Sequence, residues 1–190
     1  MEKITLFAQG DYPNIELEFK EVDFVGANDI AKVLAEVTDG KVVYAQKDCI
    51  IQVRVPVLGQ KVDTNPRCIV DEKVYTFSET CREISQKDID NNSILVQNPD
   101  GEIYVVKGEK FAKTYQEVEG GYRAVDSAKK FVTITEDICF KAPWGEMMYA
   151  PKGSKLCVEN IDSRDVYSIT NSAFEATYKE VEMEDVLEDE

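Results

Sequence analysis

Histidine does not occur in this 190-residue sequence, so the side chain that most often acts as a general base in enzymes is missing. Serine–histidine and cysteine–histidine dyads are excluded with it, and so is the most usual nitrogen ligand of transition metals. Paired carboxylates such as Glu136 and Asp137 occur in the active sites of glycosidases and in metal sites. In a chain with 37 acidic residues such pairs also arise by chance, so we expect neither activity from this pair.

The cysteines show no catalytic or metal-binding pattern either. They lie at positions 49, 68, 81, 139 and 157, and no two have the C-x-x-C spacing of zinc knuckles or thioredoxin-like motifs. Most stand in apolar runs, which favours buried, reduced thiols. Without histidine, a nucleophilic cysteine needs a helix N-terminus or a lysine to ionise it, and Cys81, early in a predicted helix, is the best placed.

Phosphate and cofactor motifs are missing as well. Gly120-Gly121 lacks the following helix that a phosphate-binding or dinucleotide-binding loop requires. We therefore predict a protein that is not an enzyme and that uses neither a cofactor nor a metal.

The charge balance indicates which partners suit the chain. Lysine and arginine number 22 against 37 aspartates and glutamates, which gives a net charge of −15. Such a field repels nucleic-acid phosphates and anionic membranes and attracts basic protein surfaces. Residues 1–5 lack the apolar core of a signal peptide, and no apolar run reaches the length of a membrane span. We expect a soluble intracellular protein whose direct partners are neither nucleic acid nor membrane.

The strongest pattern in the chain is an internal repeat. Residues 103–119 match residues 166–182 without a gap at seven of seventeen positions. The shared pairs are Tyr104/Tyr167, Phe111/Phe174, Thr114/Thr177, Tyr115/Tyr178, Glu117/Glu180, Val118/Val181 and Glu119/Glu182. Each copy has the pattern of a β-hairpin, one or two helical turns and a closing strand.

The shared aromatic residues allow two interpretations. We predict that Phe111 and Phe174 fill the core of each copy, and that Tyr115 and Tyr178 lie over the hairpin with their hydroxyls toward its edge. The alternative is that these aromatic side chains line a ligand groove. Differences between the copies indicate where function is to be sought: Lys107, Lys110 and Lys113 stand where the second copy has Thr170, Ala173 and Ala176.

The coarse order of elements predicts an α+β fold that is mostly antiparallel β. In residues 1–62, two strands, a helix capped by Asn28 and a hairpin of residues 41–46 and 49–55 give a ββαββ unit. The turn-rich segment 56–67 is the candidate linker, with a domain boundary near residue 62.

The remainder of the chain is predicted to be a duplicated β-rich domain over residues 63–182. Two hairpin-plus-helix copies would form a small barrel or sandwich, because neither alone buries enough apolar surface to be stable. Within this domain, Ser78 is expected to cap a short helix that runs to about Gln86. Residues 183–190 form an acidic tail.

Two stretches carry a resemblance to a known family. Residues 98–106 (NPDGEIYVV), with residues 110–115 (KFAKTY) and Val118, resemble the small PGDYG-type module of bacterial and phage proteins. Residues 134–146 (ITEDICFKAPWGE) resemble accessory proteins carried by phages and mobile elements. The resemblance covers about residues 90–182 and brings no catalytic residues with it. Where the family has Pro-Gly-Asp-Tyr, this chain has Asn91-Asn92-Ser93-Ile94.

Together with the charge, the resemblance implies a non-enzymatic accessory protein of a phage or mobile element, acting in the host bacterial cytoplasm. We expect an acidic inhibitor of a host defence nuclease, of the anti-CRISPR type. Its carboxylates would enter the basic channel that an RNA-guided nuclease keeps for nucleic acid, in place of phosphates. The acidic contact residues of this hypothesis are Glu16, Glu18, Glu21, Glu117, Glu119, Glu180 and Glu182.

A second group of contact residues surrounds a predicted hairpin tip. Trp144 there is either folded back onto the sheet or exposed as an anchor for a partner. Met147 and Met148 beside it suit an adaptable contact surface.

Two other functions stay open at this point. One is a small-molecule binder, a nucleotide sponge or sensor, with the interface between the repeats as its pocket. The other is a phage structural or adaptor protein.

Overall fold

The computed structural model describes residues 1–78, 81–125, 127–143 and 145–182. Its fold class is α+β with mostly antiparallel strands, as the sequence predicts. The strands of the first half are β1 (Glu2–Ala8), β2 (Ile15–Val22), β3 (Val43–Lys47), β4 (Ile50–Arg54), β5 (Lys61–Val62), β6 (Arg67–Val70), β7 (Lys73–Thr76), β8 (Arg82–Glu83) and β9 (Ile94–Gln97). Those of the second half are β10 (Ile103–Val106), β11 (Tyr115–Val118), β12 (Gly121–Ala124), β13 (Lys129–Thr133), β14 (Ile138–Lys141), β15 (Met147–Ala150), β16 (Lys155–Asn160), β17 (Asp165–Ile169) and β18 (Tyr178–Val181). The helices are α1 (Ile30–Val37), α2 (Gln86–Asp90), α3 (Gly108–Thr114) and α4 (Asn171–Thr177).

The first sheet has six strands in the order β15-β14-β2-β1-β7-β6. β2 confirms the alternation in its sequence, because Phe19 is buried while Glu16 and Glu18 are exposed. β14 runs parallel to β2, whereas the other neighbours are antiparallel. This sheet therefore joins the N-terminal strands to the hairpin β14–β15, which lies between the two copies of the repeat in sequence.

Helix α1 covers one end of this arrangement. Asp29, and not the predicted Asn28, is its N-cap, since the Asp29 Oδ1 accepts a hydrogen bond from the Lys32 amide at 3.2 Å. Its apolar face buries Leu34 and Val37 in the largest core cluster, which also holds Phe140 and Leu156.

The second and third sheets are the framework of the molecule, and their strand orders correspond. The second sheet has the order β10-β9-β4-β12-β11, and the third has β17-β16-β13-β3-β18. Each sheet contains a hairpin of one copy (β9–β10 or β16–β17) and, at its far edge, the closing strand of the same copy (β11 or β18). The third sheet corresponds to the second if β13 takes the place of β4 and β3 the place of β12.

This correspondence reveals a reciprocal exchange of strands. β3 and β4 follow one another in sequence but lie in different sheets, and so do β12 and β13. The predicted hairpin of residues 41–46 and 49–55 is therefore wrong: β3 pairs with β13 and β18, and β4 pairs with β9 and β12. Pairing with distant strands is favoured over the local hairpin because it gives β3 and β4 a partner strand on both sides, whereas an isolated two-stranded hairpin is only marginally stable.

The registers of the two sheets agree at corresponding positions, except where a bulge between Cys157 and Asn160 shifts the pairing of β16 with β17. Tyr104 pairs with Val96, which pairs with Val53. In the third sheet, Tyr167 pairs with Cys157, which pairs with Phe131. The duplication thus extends to strands whose sequences share no identity.

The hydrogen-bonded sheets cross the boundary predicted near residue 62. Residues 43–54 supply central strands to both sheets built by the repeat. That residues 1–62 and 63–182 fold as separate domains stays a prediction.

One predicted helix is misplaced. Arg82–Glu83 is the short strand β8, and the helix begins later, at Gln86. Ser85 caps it in a reciprocal capping box, because its hydroxyl accepts from the Asp88 amide and the Asp88 carboxylate accepts from the Ser85 amide. Arg82 also binds the Asp88 carboxylate at 2.7 Å. The N-cap of this helix is therefore Ser85, which has the complete capping box, and not Ser78.

Candidate functional site

The residues shared by the two copies build the same local structure twice. The hydroxyl of Thr114 donates to the Lys110 carbonyl at 2.7 Å, and that of Thr177 donates to the Ala173 carbonyl at 2.6 Å. Each threonine thereby closes a short helix, and the tyrosine that follows starts the closing strand.

The structure confirms the predicted packing of the two phenylalanines: Phe174 is buried in the third sheet's core, and the half-buried Phe111 packs against that of the second. Phe111 stacks on Tyr115 with ring centroids 5.2 Å apart, and Phe174 stacks on Tyr178 at 5.3 Å. These pairs pack in the cores of the second and third sheets respectively.

The strand exchange brings a lysine to the tyrosines of the first copy. Lys47 ends β3 in the third sheet, where it pairs with Tyr178. Its Nζ donates to the hydroxyl of Tyr115 at 2.9 Å and to that of Tyr104 at 3.2 Å. The two hydroxyls are 2.5 Å apart and share a hydrogen bond. Lys47 corresponds to Ala124 in the other sheet, so the second copy has no equivalent ammonium.

The environment of Tyr104 sets the charge of its phenol at neutral pH. Burial raises the pKa of the Tyr104 phenol above its ordinary value, and the neighbouring Tyr115 raises it further. Tyr104 is therefore a neutral hydroxyl at pH 7. The ammonium also lies 5.6 Å and 5.3 Å from the ring centroids of Tyr104 and Tyr115, within the range of cation–π attraction.

The turn between β9 and β10 adds a second polar group of side chains. Asn98 is 8% exposed, and its Oδ1 has no hydrogen-bond partner among the residues that the structure describes. Its backbone is satisfied, because its amide donates to the Glu102 carbonyl and its carbonyl accepts from the Gly101 amide. An asparagine in a turn usually bonds its own backbone two residues on, whereas this side-chain oxygen is left over.

Glu102 lies beside it in an unusual electrostatic environment. Desolvation by burial raises the pKa of its carboxyl from the usual 4.5 to about 7, and the charge of Asp100 acts in the same direction. The positive charges of Arg67 and Lys47 oppose this rise. Glu102 is therefore divided between its neutral and ionised forms near pH 7.

These groups meet at a cavity of about 490 Å³ where parts of all three large sheets come together. Its aromatic lining includes the matched pair Tyr104 and Tyr167, with Tyr149, Tyr178 and Phe77. Its polar lining includes Lys47, Asn98, Glu102, Glu146, Thr170 and Thr177. The apolar part is completed by Pro66, Met147, Met148, Ile169 and Ala173. The repeat interface therefore contains a cavity, which is the arrangement of the alternative interpretation, although Phe111 and Phe174 themselves belong to the cores.

The hairpin β14–β15 contributes Met147 and Met148 to this cavity. Met147 is 41% exposed, and Met148 is half-buried and also packs on the largest core cluster. Trp144, the predicted anchor at the tip of this hairpin, lies outside the described residues.

The predicted acidic contact residues are exposed and lie on three different sheets. Glu16, Glu18 and Glu21 are on β2 in the first sheet, Glu117 is on β11 in the second and Glu180 is on β18 in the third, with Glu119 and Glu182 directly after these last two strands. Basic side chains lie among the acids of β2: Lys3 on the neighbouring strand β1 pairs with Glu18, and Lys20 on β2 forms an ion pair with Glu136. The acids of β11 and β18 occupy corresponding edges of the matched sheets.

The remaining reactive groups of the sequence have structural surroundings. Cys49, Cys68, Cys139 and Cys157 are buried, and desolvation raises the pKa of Cys68 to about 12 and that of Cys139 to about 11. Cys81 is exposed. Glu136 pairs with Lys20, and the Asp137 carboxylate accepts from the Lys152 amide at 2.8 Å. Within the described ranges, no cluster of cysteine and acidic side chains has the arrangement of a metal site.

Lys47, Asn98 and Glu102 are among the site residues that the sequence did not indicate. A lysine at a strand end and an asparagine and glutamate in a polar turn have the ordinary pattern of solvent-facing positions. The sequence did contain one pointer to the site: tyrosine occurs at the matched repeat positions 104 and 167, and both rings line the cavity.

None of the described helices is long and apolar enough to cross a membrane. The chain matches no protein-family model, no curated protein and no solved structure.

Proposed function

We propose that this protein binds a small organic molecule in the cavity between the two copies of the repeat. The observation that carries the proposal is the cavity itself, whose volume of about 490 Å³ lies in the range of small-molecule sites. Its composition is also that of a binding site, because aromatic and apolar side chains are combined with polar and charged groups in its lining. The role is binding or sequestration without turnover.

The rigidity of the surroundings supports this role. Tyr104 is held by hydrogen bonds to Lys47 and Tyr115, and Tyr178 is held by stacking on Phe174. Side chains that are already ordered lose little conformational entropy when a ligand arrives. The part of the cavity wall formed by the second and third sheets is therefore already ordered before a ligand binds.

The experiment is a screen of a metabolite library by ligand-observed NMR against the full chain, with a matched pair of variants. Met147→Trp places a large ring at an exposed position that lines the cavity. Val42→Trp places the same ring at a position that is 51% exposed and does not line it. We expect compounds that bind the wild type and Val42→Trp but lose at least about 10-fold in affinity for Met147→Trp. A library without binders, or binders that Met147→Trp leaves unaffected, contradicts the proposal.

A second candidate function is the acidic inhibitor of a host defence nuclease. It is favoured by the exposure of Glu117, Glu119, Glu180 and Glu182 at corresponding edges of the two matched sheets, in a chain of net charge −15. Two equivalent rows of carboxylates would suit a basic channel, and their attraction would weaken with salt.

The test of this candidate is inhibition of RNA-guided nucleases at low and high salt. The variant with all four glutamates changed to glutamine is expected to lose inhibition, whereas changing Glu16, Glu18 and Glu21 instead tests the first sheet. Lack of inhibition of any CRISPR or restriction effector at low salt rejects this candidate. A structural or adaptor role in a virion also stays a prediction, and co-purification with virion proteins would support it.

A further inference from the structure

We infer that the ligand of the central cavity is an organic cation with an aromatic body, a primary arylalkylamine, and that the carboxylate of Glu102 pairs with its ammonium group. This inference rests on the proposed small-molecule function and specifies the chemistry of its ligand. Three observations support it: the unpartnered carboxyl of Glu102, the aromatic rings around the cavity and the balance of charge in its lining.

The first observation is that the carboxyl of Glu102 is accessible and has no partner. Glu102 is half-buried and lines the cavity. Its carboxyl makes no hydrogen bond or ion pair with any residue that the structure describes. Neither of its oxygens is among the described side-chain atoms that lack both a partner and access to solvent. The carboxyl is therefore open to a ligand, and an ammonium group is the partner with which an ionised carboxylate forms its strongest hydrogen bonds.

The place of Glu102 in the chain puts this carboxyl beside the tyrosines of the cavity. Glu102 directly precedes β10 and stands two residues before Tyr104, so the two side chains leave the extended chain on the same face. The charge of Glu102 contributes to the raised pKa of the Tyr104 phenol, and the charge of Lys47 acts to lower the pKa of Glu102. The carboxyl thus belongs to the same part of the lining as Lys47 and Tyr104.

The second observation is the number of aromatic rings in the lining. Aromatic faces attract cations and also pack against planar rings, so they suit both ends of an arylalkylamine. The protein already uses this attraction once, because the Lys47 ammonium lies 5.6 Å from the ring centroid of Tyr104 and 5.3 Å from that of Tyr115. The rings that line the cavity are those of Phe77, Tyr104, Tyr149, Tyr167 and Tyr178.

The third observation is the charge of the lining. Among the described residues that line the cavity, Lys47 is the one basic side chain, against the acidic side chains of Glu102 and Glu146. The Lys47 ammonium is already engaged by the hydroxyls of Tyr104 and Tyr115. The net charge of −15 on the whole chain further attracts cations and repels anions. A cationic ligand is therefore favoured over a neutral or anionic ligand of the same shape.

Binding of an amine is expected to release protons, because Glu102 must be ionised to pair with the ammonium. Burial raises the pKa of Glu102 to about 7 in the free protein; Asp100 and Asp63 act in the same direction, and Arg67 and Lys47 oppose it. An ammonium beside the carboxylate lowers this pKa, so at pH 7 about half a proton per bound ligand passes to the buffer. The affinity should be about 10-fold lower at pH 6 than at pH 8, where Glu102 is mostly ionised.

The test compares three probes of nearly the same shape by isothermal titration calorimetry on the full chain at pH 7. They are the cation tryptamine, the neutral alcohol tryptophol and the anion indole-3-propionate. We expect tryptamine to bind at least about 10-fold more tightly than tryptophol, and indole-3-propionate to bind most weakly. Titrations in two buffers that differ in ionisation enthalpy should show proton release for tryptamine and none for tryptophol.

A pair of variants tests the role of Glu102. Glu102→Gln removes the charge at constant size, and Glu109→Gln removes the same charge at an exposed position that does not line the cavity. We expect Glu102→Gln to lose at least about 10-fold in tryptamine affinity together with the proton release, while its affinity for tryptophol is unchanged. Glu109→Gln is expected to bind tryptamine like the wild type. A purely structural Glu102 would instead change the affinity for both ligands equally.

The outcomes separate this inference from the proposed function. If library compounds bind in the cavity but tryptamine binds no more tightly than tryptophol, the amine inference is wrong and the binding function stands. Tighter binding of indole-3-propionate, or binding of tryptamine without proton release, also overturns it. If neither the probes nor any library compound binds, both fail.

Discussion

The ammonium of Lys47 on β3 donates to the hydroxyl of Tyr115 on β11 across 2.9 Å. β3 belongs to the third sheet and β11 to the second, so this hydrogen bond joins the two matched sheets. The position is a consequence of the strand exchange, because β3 lies in the sheet of the second copy and ends beside the tyrosines of the first.

Removing this ammonium is expected to destabilise the framework. In Lys47→Met the aliphatic stem stays, but the hydroxyls of Tyr104 and Tyr115 lose a charged donor. We expect the free energy of unfolding in urea to fall by about 1.5–3 kcal/mol, the usual range for hydrogen bonds to charged groups. Lys110→Met, on the exposed side of α3, is the control and is expected to stay within about 0.5 kcal/mol of the wild type. Equal losses in the two variants would contradict this role of Lys47.

Glu102 is expected to make stability depend on pH in a defined direction. Its pKa is about 7 in the folded protein and 4.5 ordinarily, so the folded state holds the proton more tightly than the unfolded state. Stability from this group is complete below pH 4.5 and is lost as the pH rises to 7. Glu102→Gln removes the titrating group. The free energy of unfolding of the variant, relative to that of the wild type, should therefore rise between pH 4.5 and 7 by up to about 3 kcal/mol. Urea unfolding from pH 4.5 to 8 measures the difference, and parallel curves for the two proteins would contradict it.

The two threonines of the repeat are expected to differ in their contribution to stability. Thr177 is 2% exposed and Thr114 is half-buried, although both donate to the carbonyl four residues earlier. Thr177→Val leaves the carbonyl of the buried residue Ala173 without this donor, and we expect a loss of about 1–2 kcal/mol. Thr114→Val should cost less than about 0.5 kcal/mol, since water can replace the donor. The comparison by urea unfolding fails if the two substitutions cost the same.

The strand exchange predicts that both framework sheets unfold together. Val96→Ala in the core of the second sheet creates a cavity there, with an expected cost of about 1–3 kcal/mol. β3 and β4 are consecutive in sequence but lie in different sheets, and so do β12 and β13, so the two sheets are linked twice by short connections. Native-state hydrogen exchange should therefore show the same loss of protection in β13 and β16 as in β4 and β9. Unchanged protection in the third sheet would mean that the two sheets open independently.

The sequence predicted those parts of the fold that depend on neighbouring residues. The hairpins β9–β10 and β16–β17, the short helices α3 and α4 and the packing of Phe111 and Phe174 are all local patterns, and the structure confirms them. The separation of β3 from β4 was not predictable in this way, because a two-residue gap between apolar strands is equally compatible with a hairpin.

The duplication itself was only partly visible in the sequence. β3 and β4 correspond to β12 and β13 by register, yet no residue is identical, because the large side chains have changed places. Tyr122 packs on Phe111 in the second sheet, where the corresponding residue of the third sheet is Ala45. Phe131 packs on Phe174 in the third sheet, where the second has Val53. Volume is conserved in each core while identity is not, as packed interiors permit.

The candidate site was beyond the reach of sequence patterns for a related reason. Lys47, Asn98 and Tyr167 come from three distant segments and from two different sheets, and only the completed topology brings them to one cavity. The acidic residues of the inhibitor hypothesis were identified by type, and their exposure and their placement at matched edges became known with the structure.

Each half of the framework carries one insertion between the same two strand positions, and the insertions are unlike. The segment from β5 to α2 lies between β4 and β9, whereas the hairpin β14–β15 lies between the corresponding strands β13 and β16. The second insertion supplies Met147, Met148 and Tyr149 to the cavity. Substitutions at these three positions would therefore alter what the cavity accepts while the strands of the two matched sheets stay unchanged. The duplicated framework supplies one wall of the cavity twice over, and the unlike insertions make the two sides of that cavity different.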